Sequence, residues 1–129
     1  MTKLKFEVAI QTGLNDRPKD HEISAALILA NFYFMTDVVF LRPELNKTPD
    51  IEVNGLRWEI KSPTGKSNRT IENNLRTARE QSSNIVIDLR RIKMHKARAI
   101  SHINYFLSRQ TRIQHLIVIT KNNDVVEIL

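Results

Sequence analysis

The feature that most constrains this chain is an Asn54-Gly55 pair set between two runs of alternating apolar and charged residues. Ile51-Glu52-Val53 precedes the pair and Leu56-Arg57-Trp58-Glu59-Ile60-Lys61 follows it, which predicts a β-hairpin closed by a two-residue turn. Such a turn sets the register: Val53 faces Leu56, Glu52 faces Arg57, Ile51 faces Trp58 and Asp50 faces Glu59. Because side chains alternate along a strand, Ile51, Val53, Leu56, Trp58 and Ile60 share one face, all apolar. Asp50, Glu52, Arg57, Glu59 and Lys61 share the other, all charged. Glu52 opposite Arg57 is an ordinary cross-strand ion pair. Asp50 opposite Glu59 is not, since like charges directly opposed destabilise a sheet.

The remaining elements follow from periodicity. Ile23, Ala26, Leu27, Ala30 and Phe34 recur at helical spacing after the Asn15-Asp16-Arg17-Pro18 turn. Val38 to Leu41 reads as a buried strand stopped by Arg42-Pro43, and a loop over Asn46 to Pro49 leads into the hairpin. Ser62-Pro63-Thr64-Gly65 ends the hairpin, and a helix from about Asn68 to Gln81 presents Ile71, Leu75 and Ala78 to the core. Ile85 to Leu89 is a strand, Ile92 to Leu107 a basic amphipathic helix, and Leu116 to Thr120 and Val125 to Leu129 are two closing strands. An opening strand falls around Phe6 to Gln11. This order predicts an α/β (α+β) fold, one mixed sheet with a central hairpin and helices on its faces. At 129 residues the chain suits a single domain, 1–129.

Charge narrows the function. The net charge is +6, but residues 1–60 hold seven basic and nine acidic side chains, a net −2, whereas residues 61–129 hold thirteen and five, a net +8. Such a surface suits a polyanion. With no cysteine, disulfides, zinc fingers and thiol chemistry are excluded. Three glycines and no GxxxxGK run exclude a phosphate-binding P-loop, and there is no GxSxG elbow. The start carries Lys3, Lys5 and Glu7, unlike a signal peptide, and the apolar stretch Ile23 to Met35 is too short for a membrane span. A soluble domain with no membrane span is expected.

The opposed acids offer a chemistry. Cβ atoms at facing positions lie about 4.5–5.5 Å apart, so Asp50 and Glu59 could grip one divalent cation, with Lys61 two residues along the same face. Phosphodiester hydrolysis needs a cation to polarise the phosphate and acidify water, and a positive group near the developing charge. An exposed amphipathic hairpin, its acids relieved by Arg57 and Lys61, would leave the same pattern.

Pro49-Asp50, eight residues, then Glu59-Ile60-Lys61 resembles the PD-(D/E)xK nuclease signature, within a similar helix, strand, hairpin, helix, strand order over about residues 18–120. The resemblance implies a restriction-endonuclease-like core in which Asp50, Glu59 and the Ile60 backbone carbonyl hold the metal and Lys61 orients or activates water. It also implies a Glu on the first core helix, a position that Glu22 fits, although a first-turn acid complementing the helix dipole reads equally well. Magnesium is the default ion, with manganese or zinc able to substitute. The Glu-Ile-Lys-Ser-Pro-Thr-Gly run, and the helix ending in Arg79-Glu80-Gln81, are similar to C-terminal toxin domains of contact-dependent growth inhibition systems. Several of these are tRNA nucleases paired with an immunity protein. That likeness implies a bacterial-cytoplasmic site of action, reached by delivery into a target cell within a larger secreted protein. It places Thr64, Lys66, Ser67, Arg69, Arg76, Arg79 and Gln81 on the substrate side.

Three other readings compete. A DNA endonuclease of the same fold would use the same phosphodiester chemistry. A non-catalytic basic nucleic-acid-binding module explains the positive half but not the opposed acids. A metal-free ribonuclease would use histidines; His95 and His102 share a helical face, but among Lys96 and Arg98 rather than beside paired acids.

Overall fold

The hairpin forms as its turn requires. Asn54 and Gly55 have φ of 52° and 83°, both in the left-handed region that a type I′ turn demands and that Asn and Gly tolerate. Ile51 pairs with Trp58, Glu52 with Arg57 and Val53 with Leu56. In this computed structural model, which describes residues 5–11, 17–43 and 48–129, the hairpin lies within a mixed sheet of seven strands running in chain order.

The elements are β1 (Val8–Ile10), α1 (Asp20–Leu29) continued by a π-helical turn (Ala30–Phe34), β2 (Val38–Phe40), β3 (Ile51–Val53), β4 (Leu56–Lys61), α2 (Thr70–Gln81), β5 (Asn84–Asp88), α3 (Lys96–Leu107), β6 (His115–Ile119) and β7 (Val125–Glu127). Parallel pairs β1–β2, β4–β5 and β5–β6 are bridged by α1, α2 and α3, as parallel strands require a crossover. The remaining neighbours, β2–β3, β3–β4 and β6–β7, are antiparallel. The sheet carries a core on each face. Ala25, Ala26, Leu29 and Ala30 pack with Phe40, Ile51, Trp58 and Ile60 on one. Ile71, Leu75 and Ala78 of α2 and Ala99 and Ile103 of α3 cover Ile85, Ile87, Leu116 and Val118 on the other. Covered on both sides, β5 is buried throughout, which is why its sequence is a near-continuous apolar run rather than an alternating one.

Three expectations change in detail. The first helix buries Ala25, Ala26, Leu29 and Ala30, while Ile23 and Leu27 are only half-buried; the segment is apolar on most sides, so its stripe is poorly marked. Its end widens to a π-turn over Ala30–Phe34, in which the Asn31 amide accepts from the Lys5 and Phe6 N–H groups and donates to the Phe6 and Leu27 carbonyls. The third helix begins at Lys96, not Ile92. Ile92 and Met94 are buried as part of the preceding turn, and His95 caps the helix by accepting from the Ala97 N–H. Residues 12–16 and 44–47, which hold part of the turn before α1 and of the loop before the hairpin, lie outside the described residues.

Candidate active site

Asp50 is where the hairpin stops being regular. Continued by two pairs, the ladder would set Pro49 against Ile60, and proline has no N–H to give the Ile60 carbonyl. The Asp50 carboxylate takes the place of the Pro49 carbonyl as acceptor, its Oδ2 accepting the Ile60 N–H at 2.8 Å, while its backbone carbonyl accepts from the Leu41 N–H at 2.9 Å. Asp50 is therefore not a strand residue facing Glu59 across a ladder. Its side chain lies at the end of β3, in line with the sheet. In an antiparallel ladder one residue's N–H and C=O point to the same side, so the Ile60 carbonyl faces this same corner, and Pro49 returns no donor to it.

Glu59 and Lys61 share the face occupied by Ile85 and Ile87, with which they are in register. Glu59 is only 6% exposed, and Lys61 Nζ stands 3.6 Å from its Oε2. Burial, then the nearby Asp50 charge, pushes the Glu59 carboxyl up to about 8, against the smaller opposing pull of Lys61. Asp50 is also raised, by burial first and by the Glu22 charge. The backbone hydrogen bond from Ile60 works against that rise. The two carboxyls behave as a hydrogen-bonded pair carrying less than two charges at neutral pH. Lone carboxylates do not persist in such a place without a counter-charge.

Glu22 arrives from the opposite face. It lines, with Arg17, Phe40, Pro49 and Asp50, a cavity of about 170 Å³ between the start of α1 and the β2–β3 connection. Its Oε1 also accepts the Lys19 N–H at 2.8 Å, so it caps the helix as a first-turn acid does. The same side chain thus caps the helix start and borders the cavity that Asp50 lines. Among the described residues no group of three or more His, Cys, Asp and Glu converges as metal ligands. The oxygen set at this corner is two carboxylates and one backbone carbonyl.

The residues placed on the substrate side separate into three places. Thr64, Lys66, Ser67 and Arg69 are exposed on the connection from β4 to α2. Ser67 Oγ accepts the Arg69 N–H at the helix start, and Arg69 is 3.7 Å from Glu72. The connection is held tightly: a Cβ on Gly65 would come within 2.6 Å of Thr70 Oγ1, and the Gly65 carbonyl accepts from the Lys93 N–H. Arg76 and Arg79 lie instead on the α2 face toward α3. Gln81 ends α2 at the opposite end from that connection, its Oε1 buried.

Asp88 and Arg90 gave no functional signal in the sequence. Asp88 is fully buried at the end of β5 and accepts a two-pronged grip from Arg90, Nε to Oδ1 at 2.9 Å and Nη2 to Oδ2 at 2.8 Å. Arg90 also donates to Ser24 Oγ and to the His21 carbonyl, fixing the first turn of α1 on either side of Glu22. The available signal was an acid interrupting the apolar run Ile85-Val86-Ile87 with an arginine two residues on.

With this geometry described, comparison with known proteins supplies the class. The family model for the contact-dependent growth inhibition CdiA C-terminal domain matches residues 47–125. The chain belongs to that family: it is a contact-dependent growth inhibition toxin domain. The match spans Asp50, Glu59, Lys61 and all the residues placed on the substrate side; Glu22 falls before it. Among solved structures the chain resembles one titled CdiA-CT/CdiI toxin and immunity complex from Burkholderia pseudomallei, with TM-score 0.59 and 23% identity over 93% of this chain and 98% of that one. At that identity the likeness is one of fold. No curated protein matches the sequence. Among the described residues no helix is long and apolar enough to cross a membrane.

Proposed function

We propose that this toxin domain is a metal-dependent endonuclease on a PD-(D/E)xK core, one nuclease domain over residues 1–129, hydrolysing RNA with tRNA as its preferred substrate. The observation that carries the reading is the buried Asp50–Glu59 pair, which burial and mutual charge make costly and which a cation would relieve. The donor set suits such an ion. It is all oxygen, small and incomplete, as magnesium sites that keep waters and share substrate oxygens are. Manganese would substitute; zinc would lack the His and Cys ligands it favours. When bound, the cation would polarise the phosphate and lower the pKa of the attacking water.

The protein's own groups supply the rest. Asp50, anchored on the Ile60 N–H, and Glu59 fix two carboxylates at one corner, beside the Ile60 carbonyl. Lys61 Nζ, paired to Glu59, offers a hydrogen-bond donor that orients the attacking water and a positive charge near the phosphate. Glu22 borders the site from α1. The exposed cations Lys66 and Arg69 lie along the connection that leaves Lys61, where phosphates of the bound strand would pass. Delivery into a target bacterium's cytoplasm, and protection by a cognate immunity protein, fit the family and the complex named for the structural relative.

Incubating the domain with total tRNA and with plasmid DNA, each with magnesium or with EDTA, tests the reading. Magnesium-dependent cleavage of RNA alone is the expected result. DNA cleavage would replace RNA by DNA as substrate, and binding without cleavage would reduce the domain to a nucleic-acid-binding module.

A further inference from the structure

A groove of about 760 Å³ runs between α2 and α3, on the face of the sheet that also carries Glu59 and Lys61. Its size falls in the range of small-ligand sites. Asn68 marks one end, beside the connection from Lys61, and Arg109 and Gln110 the other. Three arginines line it. Arg76 is bound to Glu72 at 2.5 Å, whereas Arg79 and Arg109 have no acid partner among the described residues. Each of these is stacked: Arg79 lies over the Phe106 ring at 5.4 Å and Arg109 over the Tyr105 ring at 5.3 Å. Tyr105 is a large aromatic at 63% exposure in the groove wall. Behind the wall, Arg79 Nε and His102 Nδ1 are buried with no hydrogen-bond partner among the described residues.

We infer that the α2–α3 groove binds an unpaired nucleotide of the polynucleotide, its base stacked on Tyr105 and its phosphate held by Arg79 and Arg109. This rests on the nuclease reading and extends it with a second binding position away from the metal corner. The pieces match what single strands offer. Aromatic rings accept any base face. Arginine keeps several N–H donors beyond the one Arg109 spends on the Tyr105 hydroxyl. A duplex presents no free base to Tyr105, so the groove selects loops, ends and unpaired segments.

Binding of a short fluorescein-labelled oligouridylate, measured in EDTA so that no cleavage intervenes, tests the inference. Tyr105→Ala and Arg109→Ala should each weaken binding about tenfold, at the low end of what a stacked base contributes. Tyr105→Trp should preserve binding. Arg109→Ala should also flatten the salt dependence by about one unit of slope. Tyr105 and Arg109 are exposed, so these variants fold. In cleavage assays both alanine variants should raise KM with little change in kcat. Unchanged oligonucleotide binding in both would overturn the inference, leave the metal-corner reading intact, and point to a protein ligand for the groove. Groove-dependent binding by a wild-type domain that cleaves neither RNA nor DNA would instead remove the nuclease reading and keep the groove.

Discussion

Two buried acid sites lie at neighbouring strand ends of one sheet, and they are solved in opposite ways. Asp88 is fully buried and answered in full: Arg90 clamps both of its oxygens, and Ser62 approaches Oδ2 at 3.5 Å. Asp50 and Glu59 are answered in part, by one backbone N–H and one lysine at 3.6 Å, and they oppose each other. A fold that needs a buried acid can supply a bidentate arginine. A site that withholds it keeps its acids available for something brought from outside. Asp88–Arg90 therefore reads as a structural strut, holding α1 around Glu22, and Asp50–Glu59 as the working pair.

Alanine at each acid breaks this comparison most sharply. Asp50→Ala, Glu59→Ala or Lys61→Ala should abolish detectable cleavage, a loss beyond the 10- to 100-fold or so typical of groups that only orient a ligand. Circular dichroism and thermal melts should show the fold kept. Asp88→Ala should do the reverse and destabilise the domain by about 3–5 kcal/mol, because Arg90 would be left buried and unpaired; a denaturant titration reads it directly.

A pH series sharpens the contrast. The folded pKa of Glu59, about 8, lies above its ordinary value of 4.5. Between those limits the native state holds a proton that the unfolded chain has released, so stability falls as pH rises through that window. Metal-free wild type should lose melting temperature from about pH 5 to pH 8, and Glu59→Gln should lose less. The smallest effect belongs to Glu22→Gln: about 1 kcal/mol or less of stability, since the amide can still cap Lys19. A fall in cleavage with no matching fall in stability would separate its place in the site from its place in the helix.

The sheet's middle was legible because its signals are local. Asn54-Gly55 and strict alternation set the hairpin, and Ile71, Leu75 and Ala78 set the face of α2. The corner was legible as a pairing of acids but not as a geometry. That Pro49 has no N–H for the Ile60 carbonyl was present in the sequence, yet the capture of the Ile60 N–H by the Asp50 carboxylate appears only once the ladder is built pair by pair. The Asp88–Arg90 strut joins residues far apart in sequence, Arg90 to Ser24 and His21, and periodicity carries no trace of such contacts. The α2–α3 groove is likewise a product of packing: Arg76 and Arg79 were readable as basic, but their neighbours Tyr105 and Arg109 come from α3 and the turn after it. Ile92 misled in the other direction, since an apolar residue at helical spacing also fits a buried turn.

The most direct test is single-turnover cleavage of purified tRNA by wild type and by Glu59→Gln, each in magnesium and in EDTA. Cleavage by wild type in magnesium alone, with Glu59→Gln silent in both and at least as stable as wild type at pH 8, is the expected result. Equal cleavage in EDTA, or full activity in Glu59→Gln, would contradict a metal held by Asp50 and Glu59.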